Sequence, residues 1–107
     1  MIKKIILGAG CAVLLVGGLA QAANPAAGKE KSKTCAACHG PDGNSAAPDF
    51  PRLAGQHYDY LVKALSDYKT GERKNAIMAP QATNLSKRDI EDLAAYFSRQ
   101  QGLVVKY

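Results

Sequence analysis

Two segments of this chain alternate apolar and charged positions with a helical period. In residues 57–70, Tyr58, Leu61, Val62, Leu65 and Tyr68 recur at i, i+3, i+4, i+7 and i+10, the spacing that gathers side chains on one face of an α-helix. Asp59, Lys63 and Asp67 follow one another at i,i+4 on the other face, where ion pairs support the same register, and Gly71 supplies a terminus. Further on, Ser86 and Asp89 have the spacing of a capping box. Ile90, Leu93, Ala94 and Phe97 then mark a buried stripe with Tyr96 at its margin, and Gly102-Leu103 reads as a glycine C-cap with its trailing apolar contact. A third helix starts at Asn24-Pro25, an N-cap followed by proline at the first helical position, and runs towards Cys35. Gly28 is its odd member, because glycine costs about 1 kcal/mol relative to alanine inside a helix. It reads either as a close crossing by another helix or as tolerance near a helix end.

Between these helices lie two stretches that break the period. Residues 40–55 hold Pro41, Pro48 and Pro51 with Gly40, Gly43 and Gly55, and residues 71–85 hold Met78 and Pro80, so both read as loops. Loops this long count against a compact small domain unless they are functional or wrap something. The fold class that follows is all-α, with three to four helices and two long loops.

The N-terminal stretch stands apart. Lys3 and Lys4 form a basic head, residues 5–19 an apolar, glycine-interrupted run, and Ala20-Gln21-Ala22 a small-x-small site. This pattern predicts a secretory signal peptide over residues 1–22, cleaved after Ala22, and a domain over residues 23–107. A retained signal anchor is the minority reading; Cys11 is taken as filler of the signal. No later stretch is long and apolar enough to span a bilayer.

Charge and composition sharpen the picture. The formal net charge of +5 falls by two when Lys3 and Lys4 are removed, which leaves no nucleic-acid signal. Lys29, Lys31 and Lys33, with Arg73 and Lys74 further on, outline a positive rim or an ordinary solvated surface. After residue 22 there is no Trp, and Leu, Ile, Val and Phe together number only thirteen, below the roughly 20 % at which packed cores become sparse. A bound apolar group would make up that deficit in a domain of marginal size.

Such a group is indicated by Cys35-Ala36-Ala37-Cys38-His39. Two thiols three residues apart can each form a thioether to a vinyl group, and the adjacent imidazole can ligate iron; this is the attachment signature of c-type haem. Zinc competes, with His57 as a fourth ligand, but structural zinc sites place the second ligand pair a dozen or more residues away. A redox C-x-x-C belongs beside a βαβ pattern, and no run here alternates like a strand. With His39 on iron, the sixth ligand falls to Met78, the one methionine after residue 22, whose soft thioether favours ferrous iron. The competing readings are Met78 as a core gap-filler and His57 as the ligand. The helix tyrosines read as core members, with one hydroxyl able to reach a haem propionate.

The whole of residues 23–107 resembles a class I c-type cytochrome of the small bacterial monohaem group, and equally one half of a dihaem c-four-type cytochrome. The resemblance rests on Cys-Ala-Ala-Cys-His-Gly at 35–40, Pro-Asp-Gly-Asn at 41–44, Phe-Pro-Arg-Leu-Ala-Gly-Gln at 50–56 and Asp-Leu-Ala-Ala-Tyr-Phe at 92–97. It departs from the dihaem pattern in having one C-x-x-C-H. The segment around Met78 matches by position more than by motif. The resemblance implies the small cytochrome c fold around one covalent haem c, first and last helices that cross at Gly28 and the Tyr96/Phe97 region, and a Pro51 carbonyl accepting the other ring N–H of an axial His39. It implies an electron-transfer protein and not an enzyme, located in the periplasm as part of a respiratory chain. The expected partners are membrane cytochrome complexes or a terminal oxidase or reductase, with transient membrane-surface contact, no nucleic acid and a monomeric state. The alternative is a haem enzyme or a gas or peroxide sensor with an open distal site.

Overall fold

The computed structural model describes residues 22–102; the expected signal segment, apart from Ala22, and Leu103 lie outside them. Every regular element among the described residues is a helix: α1 Pro25–Lys31, α2 Lys33–His39, α3 Tyr58–Thr70, α4 Met78–Thr83 and α5 Lys87–Ser98. Asn24 caps α1 through its side-chain oxygen, which accepts from the amides of Ala26 and Ala27. Ser86 and Asp89 form the complete reciprocal capping box of α5. These two caps set where the first and last helices begin.

Three boundaries differ from the sequence-based expectation. The first helix is broken at buried Ser32, whose hydroxyl donates to the Lys29 carbonyl at 2.7 Å, so C-x-x-C-H lies wholly within the separate helix α2. The second loop contains α4. Pro80 is compatible with it because it is the third helical residue, where the amide has no intrahelical partner. Finally, α5 ends at Ser98 and not near Gly102: the Arg99 and Gln100 amides turn back onto the carbonyls of Tyr96 and Phe97. The Gln100 side chain also donates to Tyr96 O at 2.9 Å. Gly102 instead lies against the Asn44 side chain, where a Cβ would collide.

The core is the inner face of α5 against α3: Leu61, Leu93, Ala94, Tyr96 and Phe97 are buried together, with Leu53, Tyr58, Val62, Leu65 and Leu85 packed on them. Tyr96 and Phe97 meet edge to face at 5.1 Å. Helix α1 crosses α5 on its other side. A Cβ on Gly28 would run into the Asp92 carbonyl and lie 2.9 Å from Tyr96 Cβ, so the odd glycine marks a close crossing, at Asp92 and Tyr96.

Candidate functional site

The elements above close around one cleft of about 300 Å³. It is lined by Cys35, Cys38 and His39, by the apolar side chains of Leu61, Leu65, Leu93, Ala94 and Phe97, and by Met78 with Asn75 and Ile77. The residues singled out in sequence are therefore brought together: Cys35, Cys38, His39, Pro51 and Met78 all line this cleft. His57 does not; it is exposed at the start of α3. Among the described residues, no group of three or more His, Cys, Asp or Glu has the arrangement of a metal site.

The cysteine side is positioned from beneath. Asp92 is 2 % exposed yet fully engaged: its carboxylate accepts from the Asn24 amide at 2.8 Å and from Lys31 Nζ at 2.7 Å, and pairs with Arg88 at 3.3 Å. Burial alone would raise its pKa. The Lys31 and Asn24 hydrogen bonds, with the charges of Lys31 and Arg88, outweigh burial and hold it below the ordinary carboxylate value. Lys31 also reaches Asp89 at 2.9 Å. Helix α1, and through it α2, is thus fastened to α5.

His39 is 6 % exposed, and its Nδ1 lies 2.7 Å from the Pro51 carbonyl oxygen. In the neutral ring, an Nδ1–H donating to that carbonyl places the lone pair on Nε2, the nitrogen able to ligate a metal. Loop 40–55 carries Pro51 to this place because it is closed on itself. Gly43 O accepts from the amides of Leu53 (2.8 Å) and Ala54 (3.2 Å), and the Gly55 amide donates to Phe97 O at 2.9 Å. Tyr96 Oη donates to Pro41 O at 2.9 Å. Gly43 has φ of 86°, and a Cβ there would lie 2.8 Å from Ala54 N, so this closure needs glycine. Both thiols are free. Burial pushes the Cys35 thiol pKa up, against a Thr34 hydrogen bond that lowers it, which keeps Cys35 a thiol in the unattached chain.

The Met78 side is built from fewer pieces. Residues 71–77 are all exposed. Asn75 Oδ1 accepts from the amides of Ile77 and Met78, each at 2.9 Å. Nearby, Arg73 donates to Tyr60 Oη at 3.1 Å and stacks over the Tyr68 ring at 4.8 Å; all three line the cleft. Of the cations outlined from the sequence, Arg73 lines the cleft, whereas two of the lysines before the motif are paired with carboxylates. Lys31 is held by Asp89 and Asp92, Lys33 pairs with Glu30 at 3.1 Å, and the cations lining the cleft are Arg52 and Arg73. Sequence reasoning passed over Asp92 and Asn75; for Asn75 a signal was present, since an asparagine three residues before an α-helical Met78 has the spacing of a capping side chain.

Two thiols on one helical turn, an imidazole with one nitrogen already engaged, and an apolar lining fit a covalently held haem. Comparison with known proteins agrees. Residues 25–100 match the cytochrome c family model. The chain is 53 % identical over 85 residues to cytochrome c4 of Pseudomonas aeruginosa, covering 78 % of this chain and 42 % of that protein. It is 47 % identical over 83 residues to cytochrome c-554(548) of Halomonas halodenitrificans, covering 75 % of this chain and 100 % of that one. The crystal structure of reduced recombinant cytochrome c4 from Pseudomonas stutzeri superposes with a TM-score of 0.73 at 48 % identity, covering 78 % of this chain and 48 % of its own. The chain thus spans about half the length of the cytochrome c4 relatives it matches. The all-helical structure has the cytochrome c fold, and the chain belongs to the cytochrome c family, whose covalently bound cofactor is haem c.

Proposed function

We propose that this chain is a periplasmic one-electron carrier that exchanges electrons with respiratory redox proteins. Cys35 and Cys38 would hold the cofactor by thioethers, and His39 and Met78 would ligate its iron. The observation that carries the reading is that Cys35, Cys38, His39 and Met78 line one cleft together with Leu61, Leu65, Leu93 and Phe97. When bound, haem c supplies an iron that cycles between ferric and ferrous. The chain's own contribution is to keep both ligands in place in either state. Pro51 O fixes the His39 ring through Nδ1, and the apolar lining disfavours the more positively charged oxidised state, which raises the potential. Arg52 and Arg73 at the cleft suit weak, fast docking of partners steered by charge. Relatives named cytochrome c4 and "thiosulfate dehydrogenase electron acceptor" support redox proteins as those partners.

Export of the chain, cleavage after Ala22 and a monomeric carrier of residues 23–107 belong to the same proposal. A spectroelectrochemical titration of the purified protein tests its centre. The expected result is a single one-electron Nernst curve, fully reversible, with the same spectrum on repeated cycles. Slow, hysteretic or ligand-dependent cycling would show that a ligand leaves the iron, and would favour the open-site enzyme or sensor.

A further inference from the structure

We propose that Asn75 is a positioning residue for the sixth ligand: its carboxamide oxygen fixes the backbone of Met78 and so sets how well the thioether holds its place against competing ligands. This rests on Met78 being that ligand. Residues 71–77 lie outside any helix, and ahead of Met78 the segment is tied to the protein by Arg73, which contacts Tyr60 and Tyr68, and by Asn75. Helix α4 has only six residues, far fewer than the dozen or more an isolated helix needs to persist in water. Its first turn is held by Asn75. The side-chain oxygen takes the Ile77 and Met78 amides at 2.9 Å each, and the backbone carbonyl of the same residue takes the Ala79 amide at 2.9 Å.

The far end of α4 is tied separately, by Lys69 Nζ donating to the carbonyls of Thr83 and Leu85 at 3.1 and 2.5 Å. The Asn75 bonds therefore act on the end that carries the thioether. Methionine is unbranched with three rotatable side-chain bonds, and nothing in such a side chain compensates for a loose Cα. Fixing the backbone removes disorder that ligation would otherwise have to overcome. An external ligand competes with a thioether whose effective concentration depends on that restraint.

The test is imidazole binding to the ferric holoprotein at neutral pH, followed by loss of the weak far-red band of methionine-ligated ferric iron. Asn75→Ala removes the acceptor and Asn75→Asp keeps it. Asn75→Ala is expected to bind imidazole about fivefold to tenfold more tightly, the factor that loss of a capping side chain corresponds to. Asn75→Asp should return to within about twofold of wild type, since the two are near-equal caps. Asn44→Ala, which removes the side-chain hydrogen bond that Asn44 Nδ2 donates to the Gln101 carbonyl at 2.8 Å, should lower thermal stability and leave imidazole affinity alone, separating ligand positioning from general stability. Should Asn75→Ala fail to mature with haem, Asn75→Ser, with a shorter acceptor, is read in the same titration and should fall between wild type and the alanine expectation. Unchanged or weaker imidazole binding in the variant that loses the acceptor, or equal tightening in Asn75→Ala and Asn75→Asp, overturns the proposal. A wild-type protein with no far-red band and ready carbon monoxide binding when reduced overturns Met78 ligation itself, and the role of Asn75 with it.

Discussion

The two sides of the cleft are held by different means. On the cysteine side, His39 is buried, its ring is fixed by Pro51, and the helices beneath are joined by the Gly28 crossing and the buried Asp92 carboxylate. On the methionine side, residues 71–77 lead into a six-residue helix that packs on α3 and buries Ala82, with its ends tied by hydrogen bonds to Asn75 and from Lys69. Packing that cannot be altered without disturbing the core therefore holds Cys35, Cys38 and His39. Met78 sits at the start of a short helix whose ends are held by polar bonds. Changes on the first side should be felt in folding, and changes on the second in ligation with folding nearly intact.

The largest effect should come from His39→Ala. Removing the imidazole leaves Pro51 O without its donor and takes away the proposed proximal ligand, so holoprotein yield, read from Soret absorbance per mole of protein, should fall to near zero. A normal yield of six-coordinate protein would show that the cysteine side is not the anchor. Next is Gly28→Ala. The new Cβ has no room beside Asp92 O and Tyr96 Cβ, and the backbones must separate, at a cost of about 3 kcal/mol that exceeds the gain in helix propensity. Thermal unfolding followed by circular dichroism reads the loss; an unchanged midpoint would mean that the crossing yields without strain.

Asp92→Asn should cost about 2 kcal/mol, because hydrogen bonds from the Lys31 ammonium and the Arg88 guanidinium weaken while the Asn24 amide bond survives. Its pH dependence has a definite sign. Since the folded-state pKa of Asp92 lies below its ordinary value near 3.8, the carboxylate contributes its full stability above that value and loses it as pH falls through the folded pKa. Asp92→Asn should therefore flatten the acid limb of the stability profile; an acid limb as steep as wild type would place the responsible carboxyl elsewhere. The smallest effect is expected on the other side. Lys69→Met removes two exposed bonds to the end of α4 and should cost about 1 kcal/mol or less, measured by urea unfolding. A loss as large as that of Gly28→Ala would erase the distinction between the sides.

What was legible in the sequence follows the same division. Cys35, Cys38 and His39 are adjacent in the chain, and the α3 and α5 stripes repeat with helical period, so local pattern sufficed to place them. The family resemblance, not spacing, pointed to Pro51, and the structure puts its carbonyl 2.7 Å from His39 Nδ1. Helix α4 was hidden because Met78, Ala79, Pro80, Gln81, Ala82 and Thr83 have no apolar period and include a proline. Its start depends on a side-chain bond from Asn75, outside the helix. Asp92 was hidden for the opposite reason: a carboxylate on a helix reads as solvent-facing, and only the tertiary crossing shows that a lysine and an amide from α1 and its cap meet it. Gly102 marked a close approach to Asn44 instead of the end of α5, because glycine serves either need and sequence does not say which.

The central claim, that Met78 closes the iron's sixth position, is tested most directly by comparing wild type with Met78→Ala in ferric far-red absorption and in carbon monoxide binding by the reduced form. The account predicts a far-red band and no carbon monoxide binding in wild type. In Met78→Ala the band should vanish, carbon monoxide should bind readily, and the reduction potential should drop on the order of a hundred millivolts, within the roughly 0.8 V span that axial ligands command. A wild-type protein that already binds carbon monoxide, or a Met78→Ala variant that keeps the band, would contradict it.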